Sequence, residues 1–221
     1  MIGKNAVKTT PTANLETNAA KLSTSSGSKS GSSSSSGDTY TVAQIAEQCK
    51  SSVVAITNQS VQEVQTMFGT MQQQSTGSGS GVIIGKNDTE LLIATNNHVV
   101  SGAESLTVCF NDDKDAVFDA KIKGTDADND LAVIAIKLSD ISDDVLNSIS
   151  VATLGDSTQM EVGDQVVAIG NALGFGQSVT SGVISALDRE VTIDDTTATL
   201  MQTDAAINPG NSGGALFNMK G

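Results

Sequence analysis

The chain has 221 residues and carries 25 acidic against 12 basic side chains, a net charge of −13. A chain this acidic repels nucleic-acid phosphates and anionic membrane surfaces, and no basic stripe offsets the effect; nucleic acid is excluded as a partner. With no Trp, one Tyr and five Phe, any core must rest on Val, Ile, Leu and Ala, and the length allows one or two compact units.

In chain order, Met1-Ile2-Gly3-Lys4-Asn5 is followed by no apolar run, so the sequence as written shows neither a signal peptide nor a transmembrane helix. Either the protein is cytoplasmic or the chain begins downstream of an anchor. Residues 1–39 are polar, and Ser23 to Ser36 is almost wholly Ser, Gly, Thr and Lys. Such a tract cannot bury enough apolar surface to offset its ordering entropy, which predicts a disordered tether. Thr41 and Gln44 then form a capping box, and Val42, Ile45, Ala46 and Cys49 fall on one helical face.

After this short helix the period changes. Short β-prone runs recur at Val53–Ile56, Val82–Ile84, Leu91–Ala94, Leu106–Phe110, Val117–Ile122, Leu131–Ile136, Val166–Ile169, Val179–Ser185 and Leu200–Thr203. Polar turns separate them, which predicts an all-β barrel or sandwich. Asn58 to Ser78, rich in Gln and Ser and carrying Met67, Phe68 and Met71, reads as a functional loop. Lys137 to Asn147 reads as a polar, acidic connection, so the chain divides at about residue 148 into β units 40–147 and 148–221. Cys49 and Cys109 have no CxxC or Cys/His cluster around them, which leaves no zinc site and favours buried free thiols over a disulfide.

Three places can carry chemistry. His98, the only histidine, follows the apolar run Leu91–Ala94 and is flanked by small polar residues, where a ring is accessible for proton transfer. Asp130 enters the apolar run Leu131–Ile136 directly, a position costly for a carboxylate without a partner. Asp126, Asp128 and Asp130 imitate the start of a calcium loop, but Leu131 and Lys137 stand where that loop needs Gly and Glu. The third place is Gly210-Asn211-Ser212-Gly213-Gly214. Its glycines permit backbone bends that aim N–H groups at a developing oxyanion beside the serine oxygen. Neither this segment nor Gly81–Lys86 matches a P-loop, and no GxSxG elbow is present. A serine needs a base, and the base needs a carboxylate to fix its tautomer. His98, Asp130 and Ser212 supply all three, in the order of chymotrypsin-like enzymes.

Five segments together resemble the HtrA/DegP family of serine proteases: Gly77-Ser78-Gly79-Ser80-Gly81-Val82-Ile83-Ile84, Thr95-Asn96-Asn97-His98-Val99, Asp130-Leu131-Ala132-Val133-Ile134, Val179-Thr180-Ser181-Gly182-Val183-Ile184-Ser185, and Gln202 to Gly214. The resemblance runs from about residue 40 to the end. It implies two six-stranded β-barrels of the chymotrypsin/trypsin-like fold, with Ser212 as nucleophile, His98 as base and Asp130 orienting it. Gly210, Asn211 and Ser212 would shape the oxyanion hole, with the Gly210 and Ser212 N–H groups as donors. Ala206, with Ile207 and Asn208, would bind substrate. An uncharged Ala206 implies cleavage after small or medium apolar residues.

The family acts on unfolded or damaged polypeptide outside the cytoplasm and often assembles as trimers, so the resemblance points to a homotrimer. Membrane attachment would come only through an N-terminal anchor missing from this chain. No metal or organic cofactor is implied. The Asn58–Ser78 segment matches a regulatory loop whose Met67-Phe68-Gly69 tip could reach a neighbouring subunit. Leu216-Phe217 starts a strand and Asn218-Met219-Lys220-Gly221 reads as a turn with no return strand behind it. The second barrel is therefore expected to be incomplete, in a fragment of a longer protease. The alternative is a catalytically incompetent remnant that at most binds polypeptide; a non-enzymatic β-domain on a Ser-rich stalk fits the His, Asp, Ser order poorly.

Overall fold

The helix comes first. In a computed structural model that describes residues 39–66, 69–172, 176–193 and 196–221, Thr41 caps α1 (Val42–Cys49) with both halves of the box. Thr41 Oγ1 accepts the Gln44 N–H at 3.3 Å, and Gln44 Oε1 accepts the Thr41 N–H at 2.9 Å. Ile45 and Cys49 are buried, Val42 and Ala46 half-buried, and the other four residues face solvent. The expected tether lies outside the described residues apart from Thr39, as do Met67 and Phe68.

Six strands follow: β1 (Val53–Thr66), β2 (Gly69–Lys86), β3 (Glu90–Thr95), β4 (Ser105–Cys109), β5 (Val117–Asp126) and β6 (Leu131–Lys137). They close into a barrel in the order β1-β2-β3-β6-β5-β4, all antiparallel. Because β1 pairs with both β2 and β4, the barrel has no free edge. Alternate residues point inward, as β3 shows by burying Leu91, Ile93 and Thr95 and half-exposing the rest. The interior is built from branched aliphatics such as Val54, Ile56, Ile83, Ile93 and Ile134 around Phe110.

A second sheet contains β7 (Gln165–Ala172), β8 (Gly176–Ile193), β9 (Thr196–Thr203) and β10 (Ala215–Asn218), ordered β10-β7-β8-β9. Among the described residues β9 pairs only with β8 and β10 only with β7, so this sheet does not close there. An open apolar groove lies along it, lined by Met160, Val166, Ile184, Met201, Leu216 and Phe217. The apolar face of α1 packs between this sheet and the start of β1: Ile45 and Cys49 cluster with Val53, Val167, Ile169 and Phe217. The architecture is the expected one, an all-β chain with a six-stranded barrel, an incomplete second barrel and a short N-terminal helix. No described helix is long and apolar enough to cross a membrane.

Two segments differ from expectation. Asn58–Ser78 is not an irregular loop: β1 and β2 run through it as a ribbon, paired from Asn58↔Gly77 to Thr66↔Gly69. Backbone N–H and C=O groups pair whatever the side chains are, and the many Gln, Ser, Thr and Gly residues of this ribbon leave no regular apolar alternation to read. The second is Lys137–Asn147, which holds a 3-10 turn (Leu138–Asp140) and a helix, α3 (Asp143–Ser148). Ser142 Oγ accepts the Val145 N–H, and Asp143 and Asp144 sit where the helix dipole favours negative charge. Leu138, Ile141, Val145 and Leu146 pack on the barrel core, so the acidic appearance reflects a helix start. The turn expected at Asn218–Gly221 is present, closed by Gly221 N–H to Asn218 O at 3.3 Å.

Both cysteines are buried free thiols. Burial raises the pKa of Cys49; burial, reinforced by the Asp112 and Asp113 carboxylates, raises that of Cys109. The thiolate is the reactive form. An aromatic disulfide reagent at mildly alkaline pH is therefore expected to label neither cysteine in the folded chain and both in denaturant; rapid stoichiometric labelling without denaturant would contradict the packing described.

Candidate active site

The turn that presents His98 is anchored by its neighbours. α2 (Asn97–Val100) follows β3 directly, and Val99 and Val100 plug into the barrel core while His98 stays exposed. Asn58, itself buried, donates Nδ2 hydrogen bonds to Val99 O at 3.0 Å and Ser101 O at 3.1 Å. These satisfy carbonyls that the short helix leaves unpaired. The ring thus has its backbone fixed on two sides.

Asp130 reaches His98 from the turn between β5 and β6. Asp126 organises that turn: its carboxylate accepts Asn129 Nδ2–H at 2.7 Å and the Asn129 N–H at 3.2 Å. Those bonds, the side-chain one first, hold Asp126 below the usual carboxylate range. Asp130 itself takes φ +50°, a left-handed conformation that aspartate tolerates better than most residues. Its acceptors are directed at one target. Asp130 Oδ1 accepts the His98 N–H at 2.8 Å, and Oδ2 lies 2.7 Å from His98 Nδ1. Its carbonyl accepts the Asn97 N–H at 3.1 Å and Asn96 Nδ2–H at 2.8 Å. The carboxylate that looked costly beside an apolar strand therefore has its partner.

Ser212 arrives from the second sheet on two consecutive turns. Asn211 N–H donates to Asn208 O at 3.0 Å, with Gly210 at φ +101° in the third position. Gly214 N–H donates to Asn211 O at 2.8 Å, with Gly213 at φ +81° in the third position. This is the hydrogen-bond and φ pattern of type II turns, which demand glycine there. Of the three residues expected around an oxyanion hole, Asn211 has committed its N–H to the turn. The Gly210 and Ser212 N–H groups make no hydrogen bond among the described residues.

The two halves meet partway along β2. A Cβ on Gly79 would lie 2.8 Å from the Val99 methyls and 3.1 Å from Ser212 O, so this glycine sits between the His98 helix and the Ser212 turn. A Cβ on Gly213 would overlap Ser80 O and Thr95 Oγ1. Ser80 N–H donates to Ser212 O at 2.8 Å. The structure thus pairs His98 with Asp130 and packs the Ser212 turn against the stretch of β2 that lies beside the His98 helix. Ser212 Oγ makes no hydrogen bond to the imidazole among the described residues, a separation common in unliganded sites.

Ala206, Ile207 and Asn208 form an exposed shelf before the turn, with Thr180 Oγ1 donating to Ala206 O at 2.9 Å. Behind it Asp204 Oδ1 accepts the Val183 N–H at 2.7 Å, lacing the shelf to β8. Among the described residues, no group of three or more His, Cys, Asp or Glu side chains is placed to hold a metal ion. Sequence reasoning missed Asn58, Asn96 and Ser80. Their signal is faint, a lone Asn in a polar run or a Ser among glycines, and only their long-range partners reveal them.

Comparison with known proteins agrees with this geometry. The family model for the trypsin-like peptidase domain matches residues 79–221. The serine protease Do-like HtrA of Bacillus subtilis (strain 168) is 40% identical over 195 residues, covering 83% of this chain and 41% of that protein. The periplasmic pH-dependent serine endoprotease DegQ of Escherichia coli (strain K12) is 43% identical over 145 residues, covering 66% of this chain and 30% of that protein. A solved structure of a variant of the HtrA-type protease AlgW with decapeptide superposes with a TM-score of 0.68 at 33% identity, over 81% of this chain and 55% of that one. The chain thus spans well under half the length of these two curated relatives. With the fold, the order of its residues and these matches in agreement, the chain belongs to the trypsin-like peptidase family, among relatives of the HtrA/DegP type.

Proposed function

We propose that the chain is a serine endopeptidase that hydrolyses peptide bonds in unfolded polypeptide outside the cytoplasm, after small or medium apolar residues. The carrying observation is the two-point grip of Asp130 on His98, at 2.7 and 2.8 Å, beside a stretch of β2 packed on the Ser212 turn. In this reading Ser212 Oγ attacks the scissile carbonyl while His98 Nε2 takes its proton. Asp130 holds Nδ1–H, which fixes the tautomer and stabilises the imidazolium. The Gly210 and Ser212 N–H groups receive the oxyanion. The tetrahedral species collapses, His98 protonates the leaving amine, and water repeats the steps in reverse to release the acyl group.

Ala206 places no charge on the shelf, which supports apolar over basic side chains before the scissile bond. The periplasmic naming of relatives supports an extracytoplasmic site of action, and the AlgW–decapeptide structure supports an extended polypeptide as ligand. Homotrimeric assembly and N-terminal anchoring rest on the family resemblance. A second reading, polypeptide binding without turnover, draws on the absence of a Ser212–His98 hydrogen bond among the described residues and on the unclosed second sheet.

Incubation with unfolded casein separates the two readings. Cleavage is expected, with fragment termini mapping after Val, Ala or Ile, and Ser212→Ala is expected to lower kcat by about 10⁶-fold, to background. Equal cleavage by both proteins rules out Ser212 as nucleophile; binding of casein with no cleavage favours the second reading. Asp130→Asn keeps the size of the side chain but offers Nδ1 the wrong partner. It is expected to cost about 10⁴-fold in kcat near neutral pH, measured by single-turnover acylation; a loss under about tenfold would remove Asp130 from the mechanism.

A further inference from the structure

Ser80 is fully buried partway along β2, and it uses every polar function it has. Its N–H donates to Ser212 O at 2.8 Å, and its carbonyl accepts Thr95 Oγ1–H at 2.7 Å. Its hydroxyl donates to Gly210 O at 2.6 Å and accepts the Asn171 N–H of β7 at 2.6 Å. One residue of the barrel is thereby bonded to both carbonyls that flank the nucleophile turn and to a strand of the second sheet.

The positions of those carbonyls matter. Gly210 O belongs to the peptide joining Gly210 to Asn211, and Ser212 O to the peptide joining Ser212 to Gly213. Between them lies the single peptide that carries the Ser212 N–H. The Gly210 N–H is one residue's rotation away from the first. Gly210 sits at φ +101°, where glycine's open conformational space would let these planes swivel. We propose that the Ser80 hydroxyl is a positioning residue for the oxyanion donors. By holding Gly210 O it fixes the direction of the Gly210 and Ser212 N–H groups, and by accepting from Asn171 it ties that direction to the second sheet. This deepens the endopeptidase reading and rests on it.

The hydroxyl touches no reacting atom, so its effect belongs to the transition state rather than to substrate binding. The test compares the wild-type chain, Ser212→Ala, Ser80→Ala and Ser80→Cys on a peptide with Val before the scissile amide, and measures inhibition by the matching peptide aldehyde. Losing an oxyanion donor outright costs about 10²–10³-fold, so misdirecting one is expected to lower kcat by roughly 10–100-fold with KM within about twofold. Aldehyde affinity is expected to weaken by the same factor as kcat, because the hemiacetal oxygen occupies the hole.

Ser80→Cys retains the size and a weak donor, and it is expected to fall between wild type and Ser80→Ala. It also carries the test if Ser80→Ala does not fold. Assays run below each variant's melting transition separate positioning from stability. A folded variant with wild-type kcat and wild-type aldehyde affinity overturns the proposal, as does a loss confined to KM. Wild type no faster than Ser212→Ala overturns the endopeptidase reading itself, and that failure is seen without any Ser80 variant.

Discussion

The site depends on a contact with no clearance. The turn at Gly213 lies so close to Ser80 O and Thr95 Oγ1 that a single added carbon would overlap both. Thr95 ends β3, the strand that leads into the His98 helix, and the Ser80 N–H holds Ser212 O. The histidine and the serine come from different β units, and reacting groups tolerate misplacement poorly: an error of about 1 Å can cost a hundredfold in rate. Hydrogen bonds set the direction of this joint, and the absent side chain sets its distance.

The acid side of the site follows a different logic. His98 and Asp130 are both within the barrel, so their geometry can be set locally. Asp126 and Asn129 close the turn, Asp130 accepts an uncommon backbone conformation, and its oxygens converge on residues 96–98. The pair remains well exposed, with side chains 57% and 45% accessible. A pair this exposed contributes little to folding. The barrel's apolar content beneath, Val99 and Val100 above all, keeps the ring in place.

Much of this was legible in the residues. The four apolar positions of α1 are the four that turn away from solvent, because a 3.6-residue period is a strong signal in a capped helix. The runs around Leu91 and Leu131 are strands because branched aliphatics pack well on a pleated surface. His98 and Asp130 stood out because each broke the pattern of its surroundings. What escaped was held together by backbone rather than by side-chain pattern. The ribbon of β1 and β2 from Asn58 to Ser78 is mostly polar, and its ladder leaves no regular apolar alternation in the sequence. Leu138, Ile141, Val145 and Leu146 were masked by the acidic residues between them. Ser80 could not be read at all, since its partners at 171, 210 and 212 lie far along the chain.

The placement of α1 also orders events in time. This helix is synthesised before any described strand, yet its apolar face packs on Val167, Ile169 and Phe217, far downstream along the chain. Eight residues are too few to hold a stable helix alone in water. The barrel needs nothing from β7–β10 to close its own hydrogen bonds, whereas Ile169 and Phe217 of the second sheet cluster with Ile45 and Cys49 of α1. Contacts so distant in sequence are slow to form. The barrel therefore has the shorter route to its native pairings, and the sheet beside Ser212 consolidates once α1 packs against β7 and β10.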